Sequence, residues 1–238
     1  MRMSKRGPGL TRPFFYLHHG AMAEPKTQTP PQTRGEKNLA QIRERGTTAA
    51  EKIVVEEGVA ALAARRLAKE LGVSVGTLYN AFHDIDGVVR AVNNRSAQLL
   101  TKRLVEAVEG AAPDRRSRLI AMGEAYFDFA MDEPERWWTL FEYRMDSRTD
   151  EVAEEHQRTL LELLIRTAGS EPETDPAPER YLLLWASVHG LVALARRPTI
   201  VAVPPEAARR YLVEVIDAGL AMMRLARRDG GKDQTSDK

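Results

Sequence analysis

At 238 residues, 43% apolar and 29% charged, the chain is long enough to bury a full core and has the balance of a globular protein. No apolar run approaches the roughly 20 residues that span a bilayer, and the absence of cysteine excludes a disulfide framework, a thiolate metal site and a thiol nucleophile while fitting a reducing cytoplasm. Net charge is only +1, yet residues 1–103 hold 17 Lys and Arg against 9 Asp and Glu, whereas residues 104–238 hold 18 against 25, so the front half suits a polyanion and the back half repels one.

Residues 1–35 carry Pro8, Pro13, Pro25, Pro30 and Pro31 among Gly, Thr and basic residues without apolar periodicity, which predicts a disordered basic tail. Early Arg and Lys and the Ala21-Met22-Ala23 tripeptide imitate a signal peptide, but Arg12, Pro13, His18 and His19 interrupt its apolar core, so secretion is not expected; Met22 is an alternative first residue. From Glu36 a helix is predicted to about Glu57, with Ala49, Ala50, Ile53 and Val54 inward and Gly58 as its stop. Lys37, Arg43, Arg45 and the Thr47-Thr48 pair are candidates for phosphate contact, with a solvated face as the ordinary use of such residues.

The next stretch, from Arg65 to Phe82, breaks at a glycine into two short helices. Leu67, Ala68 and Leu71 form one apolar stripe, Gly72 tolerates the left-handed turn that ends it, and Ser74 restarts a helix as N-cap. That second helix turns Val75, Leu78 and Phe82 inward and leaves Gly76, Thr77, Tyr79 and Asn80 outward. Two helices on a tight glycine turn make a helix-turn-helix whose second member fits a major groove. There Gly76 lets the backbone approach closely, Tyr79 positions the helix on phosphate, and Thr77 or Asn80 reaches base edges.

The run Ala68-x-x-Leu71-Gly72-Val73-Ser74-x-Gly76-Thr77-Leu78-Tyr79-x-x-Phe82, after a helix ending near Glu57-Gly58, resembles the DNA-binding domain of TetR-type transcriptional repressors. The resemblance implies a homodimer on a near-palindromic double-stranded operator, contacted by Thr47, Arg65, Ser74, Val75, Gly76, Thr77, Tyr79, Asn80 and His83. One departure is visible. The family usually places a phosphate-contacting Lys three residues after the Phe, and Ile85 stands there instead.

Asp84 is the N-cap expected for a long helix to about Glu109, which buries Val88, Val89, Val92, Leu99, Leu100 and Leu104. Further helices are predicted over Arg115–Met131, Glu135 to about Met145 with Pro134 at N1, Glu151–Ala168, Glu179–Arg197 and Glu206 to about Arg228. A Pro-rich loop from Ser170 to Pro178 and an extended connector to Pro205 separate the last three, and a polar tail over 230–238 follows. No strand or repeat is read, so the class is all-α: a three-helix helix-turn-helix domain over residues 36–84 and a helical effector-binding and dimerisation domain over 85–229.

Trp185-x-x-x-His189-Gly190 and Asp132-Glu133-Pro134-Glu135-Arg136-Trp137-Trp138 with Phe141 resemble the TetR C-terminal subclass marked by a Trp and a His-Gly pair, whose last two helices form a four-helix dimer interface. Aromatic residues concentrate between Tyr126 and Tyr143, and with no basic cluster to hold a phosphorylated ligand they suggest a small, mostly apolar effector. Its expected contacts are Met122, Tyr126, Phe129, Trp137, Trp138, Phe141, Trp185 and His189; core packing is the ordinary use of any one of them, and a hydrogen-bonded core histidine the ordinary use of His189. The five histidines show no ligand spacing, serine has no nucleophile context and no phosphate-binding glycine loop occurs. Neither enzyme activity, metal nor cofactor is therefore expected. The rival reading is an all-α small-molecule-binding or catalytic bundle that does not act on DNA, and steeply salt-dependent DNA affinity separates the two.

Overall fold

The computed structural model describes residues 33–144, 151–170, 179–196 and 201–230. Most of the expected basic tail, the loop over 171–178, the connector start at 197–200 and the final tail lie outside the described residues, whereas the helix expected to reach about Met145 ends at Phe141, with Glu142 as its C-cap. The described residues form α1 (Arg34–Glu57), α2 (Ala64–Leu71), α3 (Val75–Phe82), α4 (Ile85–Gly110), α5 (Arg115–Asp132), α6 (Pro134–Phe141), α7 (Glu151–Thr167), α8 (Glu179–Arg196) and α9 (Pro205–Gly230), with no strand among them. The fold is all-α.

Local chemistry explains most boundaries. Helix α1 begins at Arg34, inside the stretch expected to be tail, because Thr33 and Glu36 close a capping box: Glu36 N–H donates to Thr33 Oγ1 at 3.2 Å and Thr33 N–H donates to Glu36 Oε2 at 2.6 Å. A single 3₁₀ turn, Val59–Ala61, joins α1 to α2 and had no signal in the periodicity. Gly72 ends α2 at φ +69°, where any side chain would be strained, and its N–H closes back on Ala68 and Lys69. Asp84 caps α4 through Gly87 N–H at 2.6 Å, and Asp114 caps α5 through Ser117 N–H at 3.0 Å.

Two apolar cores result. The first gathers Ile53, Val54, Leu67, Leu78 and Phe82 from α1–α3 with Val88, Val89 and Val92 from the start of α4. The second gathers Leu100 and Leu104 from further along α4 with Phe127, Phe129, Trp137, Tyr181, Leu212 and Ile216. Helix α4 thus belongs to both, and the border expected at residues 84 and 85 falls where α3 and α4 pack as one unit. Three side-chain atoms buried on α4, Asn93 Oδ1, Ser96 Oγ and Thr101 Oγ1, find no hydrogen-bond partner among the described residues.

A chain of ion pairs reinforces the junction. Arg95 on α4 reaches Glu44 and Glu51 on α1, at 2.6 and 2.7 Å; Arg136 on α6 takes the other Glu51 oxygen at 2.6 Å and Glu133 at 3.0 Å; Arg103 on α4 meets Glu133 at 2.9 Å. Burial alone would raise the Glu51 carboxyl, but hydrogen bonds from both arginines outweigh it and hold the group below its usual range.

Candidate nucleic-acid interface and effector cavity

Helix α3 is anchored from below and capped at both ends. Leu78, Ala81 and Phe82 are buried, Ser74 Oγ accepts Thr77 N–H at 3.0 Å, and Arg43 of α1 donates to the carbonyl of Ala81 at 2.5 Å. Arg45 does the same for α2, donating to the Leu71 carbonyl at 3.3 Å. Two arginines that sequence spacing offers to phosphate therefore satisfy orphaned helix-end carbonyls. What remains on the outside is Gly76, Tyr79 and Asn80, all exposed, with Thr77 and Val75 half-buried beside them. A Cβ on Gly76 would meet nothing closer than Ser74 Oγ at 3.7 Å, so the first turn offers bare backbone to an approaching surface.

The remaining residues expected at DNA divide. Arg65 is exposed on α2 and Ser74 is exposed at the N-cap. His83 is exposed directly after α3, at φ +70° and ψ −49°, a strained backbone for a residue with a side chain. Thr47 is a correction: it is buried and its hydroxyl donates to the Arg43 carbonyl at 2.8 Å, because its position on α1 faces the first core. Its neighbour Thr48 is the exposed member of the pair. Ile85 packs against the first core, consistent with the missing phosphate cation.

Between α4, α6, α7 and α8 lies a cavity of about 360 Å³, large enough for a small organic ligand. A second void, bordered by Leu119, Met122, Tyr126 and Trp185, is only about 50 Å³. Of the residues expected at a ligand, Phe141 and Trp185 border the larger cavity and Met122, Tyr126 and Trp185 the smaller, whereas Phe129, Trp137, Trp138 and His189 border neither. Phe129 and Trp137 are core residues. Trp138 turns the opposite way from Trp137 and packs against the first core, its ring 6.0 Å from that of Tyr143, because adjacent helical positions diverge by about 100°.

His189 is held in an aromatic nest. Its ring stacks between Trp137 and Trp185, with centroids at 5.3 and 4.8 Å, and Phe141 meets it edge-on at 5.2 Å. Trp137 Nε1 donates to the Tyr126 hydroxyl at 3.0 Å, and that hydroxyl shares a 2.7 Å hydrogen bond with His189 Nδ1. Burial lowers the His189 pKa, with Glu142 opposing, and burial pushes the Tyr126 phenol up, so both are neutral near pH 7.

Residues 47–92 match the family model described as bacterial regulatory proteins, tetR family, and residues 119–218 match that described as tetracyclin repressor-like, C-terminal domain. Together the two models take up more than half of the chain. The chain belongs to the TetR family. It is a DNA-binding transcriptional regulator, and α2 and α3 are the TetR helix-turn-helix. Among solved structures, a protein of unknown function from Rhodococcus sp. RHA1 is similar at 25% identity and a TM-score of 0.62, over 76% of this chain and 95% of that one. A TetR-family transcriptional regulator from Streptomyces coelicolor shares the fold at 22% identity and a TM-score of 0.56, over 76% and 98%. A transcriptional regulator described as putative from Pseudomonas aeruginosa PAO1 does so at 18% and 0.55, over 83% and 96%. No curated protein matches the chain.

In this TetR-family regulator the larger cavity is lined by residues that sequence reasoning passed over: Arg90, Asn93, Asn94 and Ala97 of α4 and His156 and Leu160 of α7. A signal was present. Positions 90, 93, 94 and 97 follow the spacing of one helical stripe, and a polar stripe on a helix buried on several sides is where a ligand's polar end would sit. Among the described residues no group of His, Asp and Glu gathers as a metal site, and no helix is long and apolar enough to cross a membrane.

Proposed function

We propose that the protein is a cytoplasmic repressor that binds a near-palindromic operator as a homodimer and leaves it when a small, mostly apolar ligand enters the cavity between α4, α6, α7 and α8. The observation that carries this reading is that α4 both starts against the recognition helix α3 and walls the cavity. A ligand that prefers one tilt of α4 thereby alters the spacing of the two recognition helices, each of which must meet a groove about 34 Å from the other. In the DNA-bound state Thr77 and Asn80 read base edges while Tyr79, Ser74, Arg65 and His83 hold phosphates. We assign residues 36–84 to reading DNA and 85–229 to effector binding and dimerisation.

The dimer seam is supported by two apolar stripes that the described residues leave partly exposed. Leu183 is 53% exposed and continues through Ala186 and Gly190; Tyr211, at 45%, continues through Val215 and Ala218 to Met222. Both keep helical spacing and lie on α8 and α9, the last two helices. The test is an operator search with the purified protein followed by shift assays across salt concentrations. Steeply salt-dependent, specific affinity that Tyr79→Ala and Thr77→Ala each weaken at least about 10-fold is expected. Unchanged affinity in both variants, with the dimer intact, refutes the assignment.

A further inference from the structure

The inference rests on the cavity being the effector site and concerns the chemistry of what it takes. Its walls are not uniform. Leu140, Phe141, Leu160, Leu161, Leu164 and Trp185 form an apolar slot, and one side is closed by the α4 stripe of Arg90, Asn93 and Asn94 with His156 of α7. Two of these polar groups already answer each other, since His156 Nε2 lies 2.5 Å from Asn94 Oδ1. Asn93 spends its Nδ2 on the Thr139 carbonyl at 3.2 Å. Arg90 is different. Among the described residues its guanidinium makes one ion pair, a single 3.2 Å contact from Nη2 to Asp84 Oδ1, an oxygen that already accepts Gly87 N–H at 2.6 Å. A guanidinium has five donors in a fork shaped for a carboxylate, so a cation held by one long contact at the edge of an apolar slot is set for an anion.

We propose that the effector is an amphipathic carboxylate whose apolar chain fills the slot and whose carboxylate is taken by Arg90 in competition with Asp84. The competition supplies the signal. Asp84 is the N-cap of α4 and follows His83, which closes α3, so the carboxylate that Arg90 releases is the one that seats α4 against the recognition helix. Ligand capture and DNA reading then share one guanidinium.

Decanoate and 1-decanol, equal in chain length and different in charge, separate this from simple apolar filling. Binding is followed by Trp fluorescence, with Trp185 in the wall, and by calorimetry on the full chain. A charge-assisted bond predicts that decanoate binds about 10-fold or more tighter than the alcohol, and that Arg90→Gln removes this preference while leaving 1-decanol binding in place. Asp84→Asn keeps a good N-cap but discards the competing charge, so it should tighten decanoate and weaken the operator in the absence of ligand. Failure of decanoate to bind, equal affinity for the two compounds, or a preference that survives Arg90→Gln overturns the proposal. In each of those cases operator release by uncharged apolar compounds still decides the cavity reading separately.

Discussion

Gly87 is the glycine with the least latitude among the described residues. A Cβ there would sit 1.8 Å from the carbonyl oxygen of Phe82, so only glycine lets the first turn of α4 close over the end of α3 while its N–H reaches Asp84. Gly87→Ala is expected to cost about 3 kcal/mol in denaturant unfolding, and to lower operator affinity even at temperatures where the fold survives, because the seat of the recognition helix is displaced. His189 makes a prediction of a different sort. Its folded pKa lies below the ordinary 6.5, so the unfolded chain takes up the proton first and stability is lost as pH falls from about 6.5 through the folded value. The melting temperature should decline over that interval, and His189→Gln should flatten the slope.

Among the elements, α1, α4, α6 and the junction between α5 and α6 are joined through Glu51, Arg95, Arg103, Arg136 and Glu133, and the joint depends on two carboxylates, Glu51 and Glu133, each shared by two arginines. Arg136→Ala is expected to destabilise by about 2 kcal/mol, since it leaves Glu51 and Glu133 each short of a partner, and thermal melting at neutral pH measures this. The depressed Glu51 carboxyl adds stability that is present above about 4.5 and lost as pH drops through the lower folded value; in Arg136→Ala that acid-dependent loss should shrink. Helix positions were legible in the sequence because their determinants are local: Ser74, Asp84 and Gly72 act within a few residues of themselves. Arg43 and Arg45 were not, since the carbonyls they satisfy lie 38 and 26 residues away and no spacing rule reports such a pairing. The same holds for the cavity. Aromatic density pointed to the middle of the chain, but the direction of each ring is settled by tertiary packing, which sent Trp138 to the first core and Phe129 and Trp137 into the second.

At the scale of the molecule, α8 and α9 present apolar stripes that the described residues of one protomer leave partly exposed. Leu183→Glu leaves the folded protomer nearly unchanged, because the side chain is already 53% exposed, but would bury an unpaired carboxylate at the seam. Sedimentation at micromolar concentration should show the wild type as a dimer and the variant shifted to monomer, with operator affinity lost in step.

The three unpartnered atoms on α4 bear on how easily such a molecule changes state. Each buried acceptor or hydroxyl without a partner costs about 1–3 kcal/mol, and Asn93, Ser96 and Thr101 place that cost on one helix, where it passes from the first core into the second. On the proposed mechanism, a tilt of α4 that admitted water to these atoms would recover part of what it loses in packing, which would bring the two tilts closer in free energy than a fully satisfied helix would allow. Moving a two-state equilibrium from 1:99 to 99:1 takes about 5.5 kcal/mol of differential affinity, and a smaller starting gap takes less. On the proposed mechanism the unsatisfied groups would lower the threshold of the switch, and removing one of them, as Ser96→Ala does, should make the regulator harder to turn.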